Sequence, residues 1–145
     1  SFMTIGADKV NQLRHARFFG DLDGIRKHMA QHSDILTPKF DCVARHLETA
    51  LAGKNIGTWS RPQGGYFVSF DGLEGTASRT VKLAAEHGVK LTPAGAAYPY
   101  GDDPLDAHIR IAPSFPPLAD LEKAMEVFVL CVELVALRKQ LRANE

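Results

Sequence analysis

VKLTPAGAAYPYGDDPLDAHIRIAP, Val89–Pro113, is the stretch whose reading decides the fold. Two short apolar runs bracket a loop rich in Gly, Pro, Tyr and Asp. Val89–Leu91 reads as one strand and His108–Ala112 as another. Strand side chains alternate, so Ile109 and Ile111 share one face while His108, Arg110 and Ala112 share the other. Arg110 thus stands mid-strand, opposite two isoleucines. A guanidinium there needs an anion or open water, because an unpaired buried charge is costly. Three situations satisfy it: a solvated edge strand, an internal carboxylate such as Asp106, or a substrate carboxylate clamped by two parallel hydrogen bonds. The residue pattern leaves all three open.

Upstream of this stretch, Thr76–Glu86 has the period of an amphipathic helix, with Val81, Leu83, Ala84 and Ala85 inward and Thr76 placed as a cap; His87-Gly88 closes it. Before that, Tyr66–Phe70 is aromatic and β-branched, a strong strand pattern. Pro62-Gln63-Gly64-Gly65 marks a turn, and Ile56–Arg61, with the single tryptophan Trp59, a strand on its other side. A hairpin from about Thr58 to Phe70 follows. The first third of the chain is helical. Gly6–Phe19 ends at Gly20, and a second helical pattern capped by Asp21 or Asp23 continues to Leu51. Pro38 interrupts that second pattern, which is either one kinked helix or two. Downstream, Pro116-Pro117 opens a long helix from about Leu118 to Leu141, with Leu121, Met125, Phe128, Val132 and Val135 at helical spacing. The polar tail RKQLRANE is expected to fray.

The order of elements predicts an α+β fold: a small mixed sheet of about four strands, Val89–Leu91 among them, covered by helices. We expect residues 1–55 to be a helical segment leading into an α+β small domain over 56–145.

The 145 residues are enough to bury a core. Lys plus Arg and Asp plus Glu both number 17, so no basic excess exists to neutralise phosphates, and nucleic acid is not an expected partner. No run approaches the length of a membrane span. The N-terminal SFMTIGADKV has neither a basic n-region nor an apolar h-region, so no signal peptide is expected. It does not begin with Met, as a fragment would not. Cys42 and Cys131 both lie in apolar helical patterns and read as buried free thiols in a reducing, cytoplasmic compartment. With no CxxC and no His at ligand spacing from either cysteine, no metal site is expected. His28 and His32 are four apart on one face, but no third ligand is evident. The Gly64-Gly65 pair is not a phosphate loop, since no GxxxxGK[ST] follows.

Several of these motifs occur together in a known family. P-x-G-G-Y-F (Pro62–Phe67), V-K-L-T-P-A-G-A-A-Y (Val89–Tyr98), I-R-I-A (Ile109–Ala112) and a long final helix, taken in that order, resemble the C-terminal small domain of class I/II aminotransferases. These are fold-type I enzymes that use pyridoxal 5′-phosphate. The resemblance covers nearly the whole chain and is most specific over Gly95–Pro116. That stretch and the early D-K-V-N-Q-L-R-H-A-R-F-F are similar to a bacterial, aspartate aminotransferase-like branch. The resemblance implies that Arg110 binds the α-carboxylate of the substrate. It also implies that Gly65, Tyr66 and Phe67, with the loop at Gly95 and Tyr98, border the cleft. Substrates would be an amino acid, aspartate among the options, and a 2-oxo acid; the parent would be a homodimer.

The same resemblance marks what is missing. The family's cofactor-binding lysine lies in a serine-x-lysine context of the large domain. Lys9, Lys27, Lys39, Lys54, Lys82, Lys90, Lys123 and Lys139 all sit in other surroundings. The large cofactor-binding domain is therefore expected to be absent. These residues alone should bind no cofactor and carry no catalytic residue. The competing class is a stand-alone, non-catalytic α+β binding or regulatory module, favoured by the lack of a nucleophile, acid–base pair or metal set.

Overall fold

The computed structural model describes Gly6 and residues 8–143. It divides into two compact units, residues 1–37 and 38–145.

In the first unit, α1 spans Lys9–Phe19. Ala7, within the predicted Gly6–Phe19 helix, lies outside the described residues. The Asp8 carboxylate accepts from the Asn11 N–H at 3.0 Å and caps the start of α1. Gly20, at φ 71°, donates its N–H to the Ala16 carbonyl and closes the end. Helix α2 spans Leu22–Leu51. Of the two candidate caps it is Asp21 that serves, accepting from the Gly24 N–H at 2.9 Å. Pro38 lies inside this one helix, at the border between the two units.

The second unit holds the sheet. Strand β1 is Gly57–Trp59, β2 is Val68–Gly72 and β3 is His108–Ile111, hydrogen-bonded in the order β1-β2-β3. Both pairings are antiparallel, with Trp59 opposite Phe70 and Ser69 opposite Arg110. The expected hairpin is present. The sheet itself differs from expectation: it has three strands, all antiparallel, where about four in a mixed sheet were predicted. Val89–Leu91 is not a strand. Helix α3, Ala77–Glu86, accounts for this, because the Val89 N–H is spent on the Ala84 carbonyl at 2.8 Å in closing that helix. Pro93, just beyond, has no N–H for a ladder. Tyr66 and Phe67 likewise precede β2 rather than belong to it. Thr76 sits at the head of α3, but its hydroxyl donates to the Leu73 carbonyl and makes no side-chain cap.

Helix α4 runs Leu118–Ala143, which is most of the tail that was expected to fray; Asn144 and Glu145 lie outside the described residues. The core forms where the apolar sheet face meets α4 and the second half of α2. It unites Val68, Phe70, Ile109 and Ile111 of the strands with Val43, Leu47 and Leu51 of α2 and with Leu121, Met125, Phe128 and Val132 of α4. Phe128 is 1% exposed and meets Phe70 edge-on at 5.4 Å between ring centroids. This packing consumes every second residue of β2 and β3. The residues between them are left to the opposite face.

Candidate functional site

That opposite face carries Ser69 and Asp71 from β2 and His108 and Arg110 from β3. The register sets Ser69 directly across from Arg110, and Asp71 directly across from His108. Such directly opposed side chains are within contact range. Asp71 Oδ1 lies 2.9 Å from His108 Nδ1. Ser69 Oγ is 3.4 Å from the same nitrogen. In a hydrolytic relay the imidazole is the base, and the serine and the orienting acid contact its opposite nitrogens. Here both fall on Nδ1, so the trio is a positioning network and not a hydrolytic relay.

Arg110 has no ion-pair partner among the described residues, and its buried Nε has no hydrogen-bond partner. The guanidinium rests over the Phe67 ring, 4.5 Å from its centroid. A ring in that position fixes the plane of the fork and contributes an attraction of its own. Asp106, the internal partner that the sequence allowed, is occupied elsewhere. Its carboxylate accepts from the Ser78 N–H and hydroxyl, and its carbonyl accepts from Thr76 and Ala77. Asp106 therefore caps α3 from across the chain. The fork of Arg110 is left aromatic-backed and anion-free.

The remaining predicted residues divide. Tyr98 sets its ring edge-on to His108 at 5.9 Å, so the loop ahead of β3 does reach the polar face. Gly95 holds that loop tight: at φ 80°, a Cβ there would lie 2.1 Å from the Gly101 carbonyl oxygen. Gly65, at φ 90°, turns the chain ahead of Phe67. Tyr66 is 54% exposed, and the contact with Arg110 is made by its neighbour Phe67.

Asp103 anchors the strand that bears Arg110. Its Oδ2 accepts from the N–H groups of His108 and Ala107, both at 2.8 Å, and Oδ1 accepts from Leu105 at 3.1 Å. These bonds, that from His108 foremost, hold its carboxyl below the usual range.

Sequence reasoning missed Ser69, Asp71 and His108 as site residues. Alternation on β2 puts Ser69 and Asp71 together, and a register would have set them against Arg110 and His108. It also missed a second cluster. Cys42 and His46, four apart on α2, meet Glu122 of α4, with one ligating atom from each lying within 4.8 Å of the others. The expectation that no histidine stood at ligand spacing from a cysteine was wrong on this pair.

The profile of the Aspartate amino-transferase family matches residues 1–144. The chain belongs to this family. A curated relative from Mycolicibacterium smegmatis is 52% identical over 133 residues, and the aspartate aminotransferase of Corynebacterium glutamicum is 48% identical over 132. These matches cover 92% and 91% of this chain but 31% of each relative, so the chain spans about a third of the length of the relatives it matches. The crystal structure of an aspartate transaminase from C. glutamicum superposes with a TM-score of 0.87 at 48% identity, over 91% of this chain and 31% of that one. The fold extends to remote members. The α-aminoadipate aminotransferase LysN of Thermus thermophilus, solved with N-(5′-phosphopyridoxyl)-L-leucine, is 15% identical with a TM-score of 0.65, covering 77% of this chain and 28% of that one. The α+β architecture and the resemblance read from the motifs are those of the family.

Proposed function

We propose that this chain is the C-terminal small domain of a pyridoxal-phosphate-dependent aminotransferase, and that Arg110 binds the α-carboxylate of its amino acid and 2-oxo acid substrates. The observation that carries the reading is the state of Arg110: rigid on a strand, backed by Phe67, and without an internal anion. A planar fork held this way matches a carboxylate through two parallel hydrogen bonds. Fixing one end of the substrate fixes the direction of its Cα–H bond, which is how positioning lowers the barrier. Tyr98, His108 and Ser69 border the same face, and Asp71 holds the His108 ring.

Pyridoxal 5′-phosphate supplies the electron sink for amino-group transfer. The residues described here do not fit a covalent site for it. None of the four polar-face positions is a lysine, while Lys39 bonds the Ser114 carbonyl, Lys54 pairs with Glu133 and Lys139 bonds the Glu74 carbonyl. The amine that holds the cofactor would come from elsewhere in the parent protein. The aspartate aminotransferase of C. glutamicum supports aspartate as one substrate. Two buried free thiols suit a reducing, cytoplasmic setting, and a homodimeric parent accords with the family.

The test is kinetic and uses the full-length protein. Losing one partner of a hydrogen-bonded charge pair costs about 2–5 kcal/mol. Arg110→Ala should then lower kcat/KM by roughly 30-fold to several thousand-fold, at about tenfold per 1.36 kcal/mol. The loss should be similar for two unrelated amino acids, because both carry the same carboxylate. Arg110→Lys should recover only part of it, since an ammonium lacks the planar fork. A value for Arg110→Ala within twofold of the unmutated enzyme would make the arginine structural.

A further inference from the structure

The Cys42–His46–Glu122 cluster lies on the seam between α2 and α4, on residues that no part of the proposed reaction uses. His46 Nδ1 is 2.9 Å from the Cys42 carbonyl oxygen, one turn back on α2. A carbonyl only accepts, so Nδ1 carries the proton and donates it, leaving the Nε2 lone pair free. That Nε2 lies 3.4 Å from Glu122 Oε2. Cys42 Sγ approaches from the buried side and lies 3.7 Å from His46 Nδ1. Glu122 does not drift, because Arg45 Nη2 holds its two oxygens at 2.6 Å each. A carboxylate has lone pairs to spare for a second partner.

We propose that Cys42 Sγ, His46 Nε2 and Glu122 form a three-ligand site for a thiophilic divalent cation of the zinc type. Tetrahedral zinc at bond lengths of about 2.0–2.3 Å sets its ligand atoms roughly 3.3–3.8 Å apart. The His46–Glu122 separation already falls in that range, while Cys42 Sγ, 3.7 Å from His46 Nδ1, must swing toward Nε2 by a change of side-chain rotamer. Three protein ligands leave the fourth position to water. Two supporting contacts are in place. The Cys42 carbonyl orients the imidazole, and Arg45 orients the carboxylate; metal sites are commonly braced this way. His46 is 11% and Glu122 36% exposed, so the ion has a way in.

Binding exchanges a proton for the metal. The Cys42 S–H bond breaks, a sulfur–metal bond forms with the same electron pair, and the proton leaves to water. No electron is transferred. A cysteine thiol is ordinarily protonated at neutral pH, so in the metal-free protein the proton is present. Glu122 is already a carboxylate, paired with Arg45. Uptake should therefore release about one proton per ion.

The experiment uses the full-length protein, stripped with a chelator and then loaded with zinc or titrated with cobalt(II). The unmutated protein should retain one more zinc per chain than Cys42→Ser. It should also show a near-ultraviolet thiolate-to-cobalt band that Cys42→Ser lacks. Glu122→Gln, at the exposed rim, should bind at least about tenfold more weakly, the loss that even outer-sphere partners produce. Equal zinc content in the unmutated protein and Cys42→Ser would overturn the proposal, as would a cobalt spectrum without the thiolate band. Should Cys42→Ser fail to fold, unchanged zinc affinity in Glu122→Gln decides against the site on its own.

Discussion

The two faces of the sheet share a backbone and differ in what fixes their residues. On one face Val68, Phe70, Ile109 and Ile111 are buried against α2 and α4. On the other, Ser69, Asp71, His108 and Arg110 are joined by a few directed contacts, and one of them keeps an unpaired Nε. The apolar face is explained by removal of surface from water, which is roughly additive and forgiving in detail. The polar face is explained by geometry, and its most costly member is unexplained unless something outside the chain meets it. A strand of four residues thus carries both jobs, because side chains alternate. Folding fixes Ile109 and Ile111, and that places Arg110 between them.

The sharpest way to break the comparison is on the apolar side. Phe128 fills the space beneath Phe70, so Phe128→Ala should destabilise the unit by about 3–5 kcal/mol, the transfer loss plus the cavity left behind. Urea unfolding of this chain, followed by circular dichroism, measures it. A loss below about 1 kcal/mol would mean that the edge-on pair with Phe70 is not the centre of the core.

On the polar side the corresponding change should leave the fold alone. Phe67 backs the Arg110 guanidinium but is half-exposed and outside the ladder. A cation–aromatic contact at such a site is worth about 0.5–1 kcal/mol. Phe67→Leu in the full-length enzyme should therefore weaken substrate use by about two- to fivefold, through KM more than kcat, with the urea midpoint unchanged. An equal loss in stability would show that Phe67 belongs with the core.

The two faces were also unequally legible in the sequence. Periodicity alone identified Phe128, Met125 and Val132 as core, because burial writes itself as a repeat, and the Pro62–Gly65 turn paired β1 with β2. Arg110 stood out by its place between two isoleucines, but its freedom did not. That depended on Asp106 being committed to Ser78 and the head of α3, a contact across 28 residues with no local signature. Val89–Leu91 read as a strand because its composition suits one. The competing demand, closure of α3 through the Val89 N–H, is invisible to composition. Cys42–His46 was readable from spacing and was overlooked; its third member, Glu122, comes from another helix and needed the fold.

The smallest expected effect concerns the loop ahead of β3, where Asp103 fastens the start of that strand. Its carboxylate accepts three backbone N–H groups, and these favour the charged form. The folded value is therefore depressed below the unfolded one of about 3.9. A carboxylate of this kind stabilises the fold at pH values above its unfolded value, and the contribution is lost as pH falls through the folded one. Asp103→Asn removes the titration and keeps one acceptor oxygen. The unmutated chain should be the more stable of the two at pH 7, and the gap should narrow as the pH falls below about 4. Asp103 is half-buried and its partners are neutral N–H groups, so the difference will be modest, and urea midpoints from pH 7 to pH 2.5 would resolve its slope. A constant gap across that range would assign the stabilisation to the shape of the side chain. A gap that widens toward acid would contradict the depressed value. A gap that closes while the catalytic penalty of Arg110→Ala persists at neutral pH would separate how β3 is fastened from what it presents.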